Sequence, residues 1–124
     1  MRNYESDIVE RVKKCGWENE PLGDVGGLPL LRVTVETWRG LPTVYVNGGT
    51  HGDEPSGTEA VLRFLEGRVE RWTDRFRFDV IPCLNPSGYE AGTRENSGGV
   101  DLNWAYSRTD LPEIAALHRF LVGR

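Results

Sequence analysis

Histidine is scarce in this sequence. Only His51 and His118 occur in 124 residues, so any metal site or imidazole base built by the chain has two residues to draw on. Cysteine is equally sparse. Cys15 and Cys83 lie far apart and form no Cys-x-x-Cys pair, which excludes a thiolate zinc cluster and a disulfide scaffold. They fit free thiols in a reducing compartment. Lysine occurs only at Lys13 and Lys14, and Lys+Arg 15 against Asp+Glu 19 leaves a net charge of −4. That balance argues against nucleic acid as the main partner, because phosphate binding needs a basic surface. No apolar run approaches the roughly 20 residues of a membrane span. The opening MRNYESDIVERVKK carries charge where a signal peptide carries its apolar core. The expectation is a cytoplasmic protein with no membrane and no nucleic-acid partner.

What is present is one domain's worth of chain. With 38% apolar residues, residues 1–124 make a single core-forming domain. Ile8, Val9 and Val12 fall at helical spacing and predict a first helix, broken by Gly16 and the ENEPLGDVGG stretch. LLRVTVETW alternates, with Leu31, Val33 and Val35 against Arg32, Thr34 and Glu36, as a half-exposed strand does. PTVYVNGG is more uniformly apolar and predicts a more buried strand. Asp53 can cap a following helix whose stripe is Ala60, Val61, Phe64 and Leu65, with Gly67 near its end. FRFDVIPCLN predicts a third strand, Pro82 marking its end or an edge. Residues 86–107 are rich in Gly, Asn and Ser and predict mostly loop. Asp110-Leu-Pro-Glu113 has the form of a capping box, opening a last helix with Ile114, Leu117 and Leu121. The fold class is α/β, a mixed β-sheet flanked by helices, with a parallel strand–helix–strand unit over residues 43–84.

The chemistry concentrates in GGTHGDEPSG, residues 48–57, at a strand-to-helix turn. Gly48, Gly49 and Gly52 let the backbone bend sharply there. His51 and Glu54, with two residues between them, present an imidazole nitrogen and a carboxylate oxygen, the donor types zinc prefers. A bare His-x-x-Glu is also an ordinary loop leading into a helix, where a Glu complements the dipole.

A second segment changes the weight of the first. NPSGYEAGTRENSGGVDLN, residues 85–103, directly follows a strand. Together the two motifs resemble the zinc carboxypeptidase family, above all its short bacterial branch of murein peptide amidase-like enzymes. The resemblance runs from about residue 41 to 117, including Pro112-Glu113. The related desuccinylases and aspartoacylases share the His-x-x-Glu but match NPSGYEAGTREN less well. The resemblance implies an α/β/α sandwich, a Zn2+ cofactor held by His51 and Glu54, and a peptide or acyl-amino-acid substrate. It implies that Arg94 polarises the scissile carbonyl and stabilises its oxyanion, and that Asn103 orients the substrate. A fixed guanidinium aimed at developing negative charge suits that role.

The sequence departs from the family at two places. Where members carry Asp-Leu-Asn-Arg, this chain has Asp101-Leu102-Asn103-Trp104, and an indole cannot pair bidentately with a substrate carboxylate. Either specificity has moved away from free C-terminal carboxylates or Trp104 simply packs, with Arg108 or Arg39 as substitutes for the missing cation. The family's third histidine ligand and its catalytic glutamate lie downstream of these residues. His118 sits near the apolar face of the last helix and is expected to be structural. Glu59, Glu66, Glu90, Glu95 and Glu113 match no base motif. The chain therefore resembles the N-terminal half of such a domain, a truncated sandwich inactive by itself and prone to self-association or strand exchange. The alternatives are a non-catalytic binding or assembly module on the same scaffold, and an N-acyl amino acid amidohydrolase of the desuccinylase kind.

Overall fold

The computed structural model describes residues 2–121. The first helix forms as its spacing requires, a π-helical turn over Glu5–Val9 leading into α1, Glu10–Cys15. Ile8, Val9 and Val12 point into the core, and Gly16 ends the helix at φ 81°.

ENEPLGDV, expected to be only a break, is instead strand β1, Glu18–Val25. It pairs antiparallel with β2, Leu28–Val35, across the Gly26-Gly27 turn. Its acidic residues and Pro21 masked a strand signal. Both are tolerated because β1 is outermost in the sheet order β1-β2-β4-β3, and the register shifts between Pro21 and Gly23. β3, Thr43–Asn47, and β4, Arg77–Ile81, run parallel, from Thr43↔Arg77 to Asn47↔Ile81. The sequence misassigned which strand is deeper. β3, expected to be the more buried, is the other outer strand and is half-exposed, whereas β2, expected to be half-exposed, lies inside the sheet with five of its eight residues buried.

Between these parallel strands lies α2, Pro55–Arg63, carried on by a π-helical turn over Phe64–Arg68 and a 3-10 turn over Val69–Trp72. Gly67 does not stop it. Glu54, not Asp53, is the residue before the helix, because Pro55 forces its predecessor into extended geometry (φ −118°, ψ 71°). The inward face is Thr58, Val61, Leu62 and Leu65, while Ala60 is exposed. The stripe is thus rotated from the expected one.

Within the expected long loop, α3, Pro86–Ala91, forms because the Asn85 side chain accepts from the Gly88 N–H at 3.0 Å. At the start of α4, Pro112–Leu121, the two side chains expected to form a capping box are engaged elsewhere. Asp110 pairs instead with Arg108, and Glu113 is buried against Asn96. Phe120, not Leu121, completes its inward face.

Two apolar clusters result, one on each face of the sheet. α1 and α2 cover Leu31, Val33, Val35, Phe78 and Val80, and α4 covers Leu30, Ile81 and Leu84. At about 1.5–3 kcal/mol per buried aliphatic side chain, these clusters are the main favourable term in folding. The architecture is the expected mixed sheet flanked by helices. The C-terminal ends of the parallel strands β3 and β4 lead into Gly48–Glu54 and Asn85, the segments that carry the site.

Candidate active site

Backbone-to-backbone contact builds the turn after β3. Leu84 and Asn85 donate their N–H groups to Gly48 O and Gly49 O at 2.9 and 3.0 Å, locking the turn to the end of β4. Gly49 adopts φ 70°, and a Cβ there would meet Cys83 Sγ at 2.9 Å. At Gly52 a Cβ would lie 2.0 Å from the Gly88 carbonyl carbon, so the turn rests directly on the backbone of α3. The sequence uses glycine at these two positions because nothing larger lets the chains approach.

His51 sits between two carboxylates. Its Nε2 is 2.9 Å from Asp101 Oδ1 and its Nδ1 is 2.7 Å from Glu54 Oε2. Both pairs raise the His51 pKa, the Asp101 hydrogen bond most strongly. Asp101 is in turn held below the usual carboxylate range, first by His51 and further by the Asn103 N–H. Asp101 is the hub of the site. Its Oδ1 also accepts from the Asn103 N–H at 3.0 Å, and its Oδ2 accepts from Arg94 Nε at 3.2 Å. Arg94 Nη1 lies 4.0 Å from Glu54 Oε2, closing a ring of four side chains.

The structure thus brings His51, Glu54 and Arg94 together, as expected, and places Asn103 beside them through its backbone. The Asn103 side chain is exposed. Two residues escaped the sequence reading. Asp101 stood in the quoted motif without a role; only its contact with His51, 50 residues away, reveals one. Asn85 is fully buried, and its Nδ2 reaches Thr50 O at 3.3 Å and Arg94 O at 3.4 Å, joining the two loops. The Asn-Pro dipeptide opening a helix was the available signal.

Other expectations are corrected. Trp104 does not pack, being 81% exposed. Arg108 is occupied by Asp110 at 2.7 Å and supplies no spare cation. His118 is structural, its Nε2 bonded to Tyr106 O at 2.6 Å on α4. Cys83 lies beneath the turn, where burial pushes its thiol up to about 12 and keeps it protonated, unsuited to metal ligation.

The donor set fits a metal in kind and falls short in number. One imidazole nitrogen is oriented by a carboxylate on its far side, the arrangement that metal-ligating histidines adopt, and it faces a second carboxylate. Among the described residues, no group of three His, Cys, Asp or Glu side chains is placed to hold a metal ion.

Residues 40–119 match the family model of the succinylglutamate desuccinylase/aspartoacylase catalytic domain. The chain belongs to this family. Murein peptide amidase A of Vibrio campbellii is 33% identical over 122 residues, an overlap of 91% of this chain and 45% of the relative. Carboxypeptidase SOL1 of Arabidopsis thaliana is 29% identical over 110 residues, 78% of this chain and 22% of the relative. A metallo-carboxypeptidase from Burkholderia cenocepacia shares the fold at TM-score 0.82 and 22% identity, over 95% of this chain and 36% of that one. The chain thus shares its fold and part of its sequence with carboxypeptidase-like proteins, as the two motifs implied. The chain spans less than half the length of these relatives.

Proposed function

We propose that this chain supplies part of the active site of a zinc-dependent amidohydrolase acting on a peptide or N-acyl amino acid. The carrying observation is His51, held by Asp101 through Nε2 and aimed through Nδ1 at the Glu54 carboxylate. His51 and Glu54 are the residues that would hold the ion. When bound, zinc supplies Lewis-acid chemistry to the amide carbonyl.

The chain's own residues carry the other roles. Asp101 fixes the proton on Nε2 and leaves the Nδ1 lone pair for the metal. Arg94 is anchored through Nε, and its side chain is half-exposed at the rim, with the charge needed to stabilise an oxyanion. Asn103, anchored through its backbone, presents its side-chain amide to substrate. Trp104 offers an apolar face where family members offer a cation, which favours substrates without a free carboxylate at that position. In this reading the third ligand and the general base come from outside the described residues. The free thiols Cys15 and Cys83 support a cytoplasmic setting. The outer position of β3 supports strand exchange or self-association.

A binding or assembly module is the second reading, favoured by the two-donor site and the bare indole of Trp104. Zinc content at fixed free zinc, read by elemental analysis, tests the ligand assignment. It should fall in His51→Ala and Glu54→Ala and hold in His118→Ala; equal zinc in all the variants overturns it. Hydrolysis of peptides against N-acyl amino acids, by a protein carrying the remaining ligand, separates the substrate classes. Metal binding without either hydrolysis supports the binding module.

A further inference from the structure

The turn that carries His51 and Glu54 has a second support, from the far end of the sequence. Arg2 Nη1 donates to Gly52 O at 2.8 Å and to Tyr89 O at 3.0 Å. Its guanidinium also lies 5.3 Å from the centre of the Tyr89 ring. We propose that Arg2 is a positioning residue, stapling the His51–Glu54 turn to α3 and so holding the metal-facing pair in place. The proposal rests on the metal reading of that pair.

Three observations carry it. Gly52 and Gly88 are in backbone contact, so no side chain fills the junction between the turn and α3. The polar groups presented there include two carbonyls, Gly52 O and Tyr89 O, whose negative ends converge on one nitrogen. Converging carbonyls repel unless a donor lies between them, and a cationic donor makes the stronger bond. Second, among the described residues no carboxylate pairs with Arg2, and its bonding goes to these carbonyls. Third, the N-terminal segment is anchored without it. Tyr4 N–H donates to Glu90 Oε2, the Tyr4 hydroxyl donates to Pro29 O at 2.6 Å, and Ile8 and Val12 are fully buried. These contacts hold residues 4–12 without Arg2. The bonds of Arg2 are therefore available to hold the turn rather than the first helix.

Asn85 makes the matching link on the buried side, from Thr50 O to Arg94 O. Arg2 makes it from the surface, where substitution leaves the core intact. A lysine ammonium has donors enough for both carbonyls, so Arg2→Lys is the rescuing variant and Arg2→Ala the disabling one.

The test uses the whole chain and two readouts. The first is hydrogen exchange at the Glu54 amide, which bonds to His51 O across the turn at 3.2 Å, measured against the β2 and β4 amides. The second is zinc affinity by competition with a chromophoric chelator. Arg2→Ala should speed Glu54 exchange about tenfold, leave the strand amides unchanged, and weaken zinc about tenfold. Arg2→Lys should recover most of both. Unchanged Glu54 exchange in Arg2→Ala overturns the proposal, as does equal acceleration at Glu54 and in the strands, which would make Arg2 a general stabiliser. If the unsubstituted chain binds no zinc while Glu54 exchange still responds selectively, the positioning role stands and the metal reading fails.

Discussion

The two histidines occupy regions built on opposite principles. His51 stands on a glycine turn held by backbone contact, with a carboxylate at each ring nitrogen. His118 stands on α4, a helix held by side-chain burial, and bonds to one backbone carbonyl. The first arrangement engages both ring nitrogens with carboxylates, one of which also holds Arg94. The second bonds one ring nitrogen to a backbone carbonyl and so joins a helix to a loop. What surrounds an imidazole, rather than its presence, separates a candidate ligand from a structural residue.

Substitutions at the supports of the two regions break this comparison most severely. Ile114→Ala removes a fully buried side chain of α4, and chemical denaturation should show a loss of about 2–5 kcal/mol. Gly52→Ala forces a methyl group to within 2.0 Å of the α3 backbone. The expected loss is about 1–3 kcal/mol, and zinc affinity should fall as well, which Ile114→Ala should cause only through unfolding. Gly67→Ala is the control, since a Cβ there meets nothing within 4 Å. It should leave stability unchanged or raise it by up to about 1 kcal/mol in the same denaturation experiment.

Proton linkage sharpens the comparison with smaller effects. The folded pKa of His51 is raised, with the Asp101 hydrogen bond as the largest cause and Glu54 adding to it. Its contribution to the metal-free protein is fully present below the unfolded value of about 6.5. It is lost as pH rises through the higher folded value. Glu59 has the opposite sign. Hydrogen bonds from Arg11, then Arg63, lower it to about 2, so its contribution is present above the ordinary carboxylate range and lost as pH falls through about 2. Glu59 is 41% exposed, and solvent screening keeps this pair to about 1 kcal/mol or less. Thermal melts of His51→Ala and Glu59→Gln between pH 2 and 9 should each flatten one limb of the profile.

The sequence made the architecture legible where periodicity was clean. Ile8, Val9 and Val12 predicted the first helix, and the strand–helix–strand order predicted the parallel pairing of β3 with β4. It hid β1 because acidic residues and Pro21 suit an outer strand while lacking strand character. It hid α3 because a six-residue helix capped by Asn85 resembles loop in composition. For the site, His51, Glu54 and Arg94 were legible as motif residues, and the structure brings them into one ring. Asp101, Asn85 and Arg2 were not. Each acts through contacts across 9 to 87 residues of sequence, and no local pattern marks a partner at that range. Trp104 was legible as a departure, but its exposure was not.

The most direct test is a zinc titration of the 15N-labelled chain, following the imidazole nitrogens of both histidines by NMR. The account predicts that His51 Nδ1 shifts on binding, that His51 Nε2 remains protonated against Asp101, and that His118 does not respond. A shift at His118, or metal-induced change at His51 Nε2 in place of Nδ1, would contradict it.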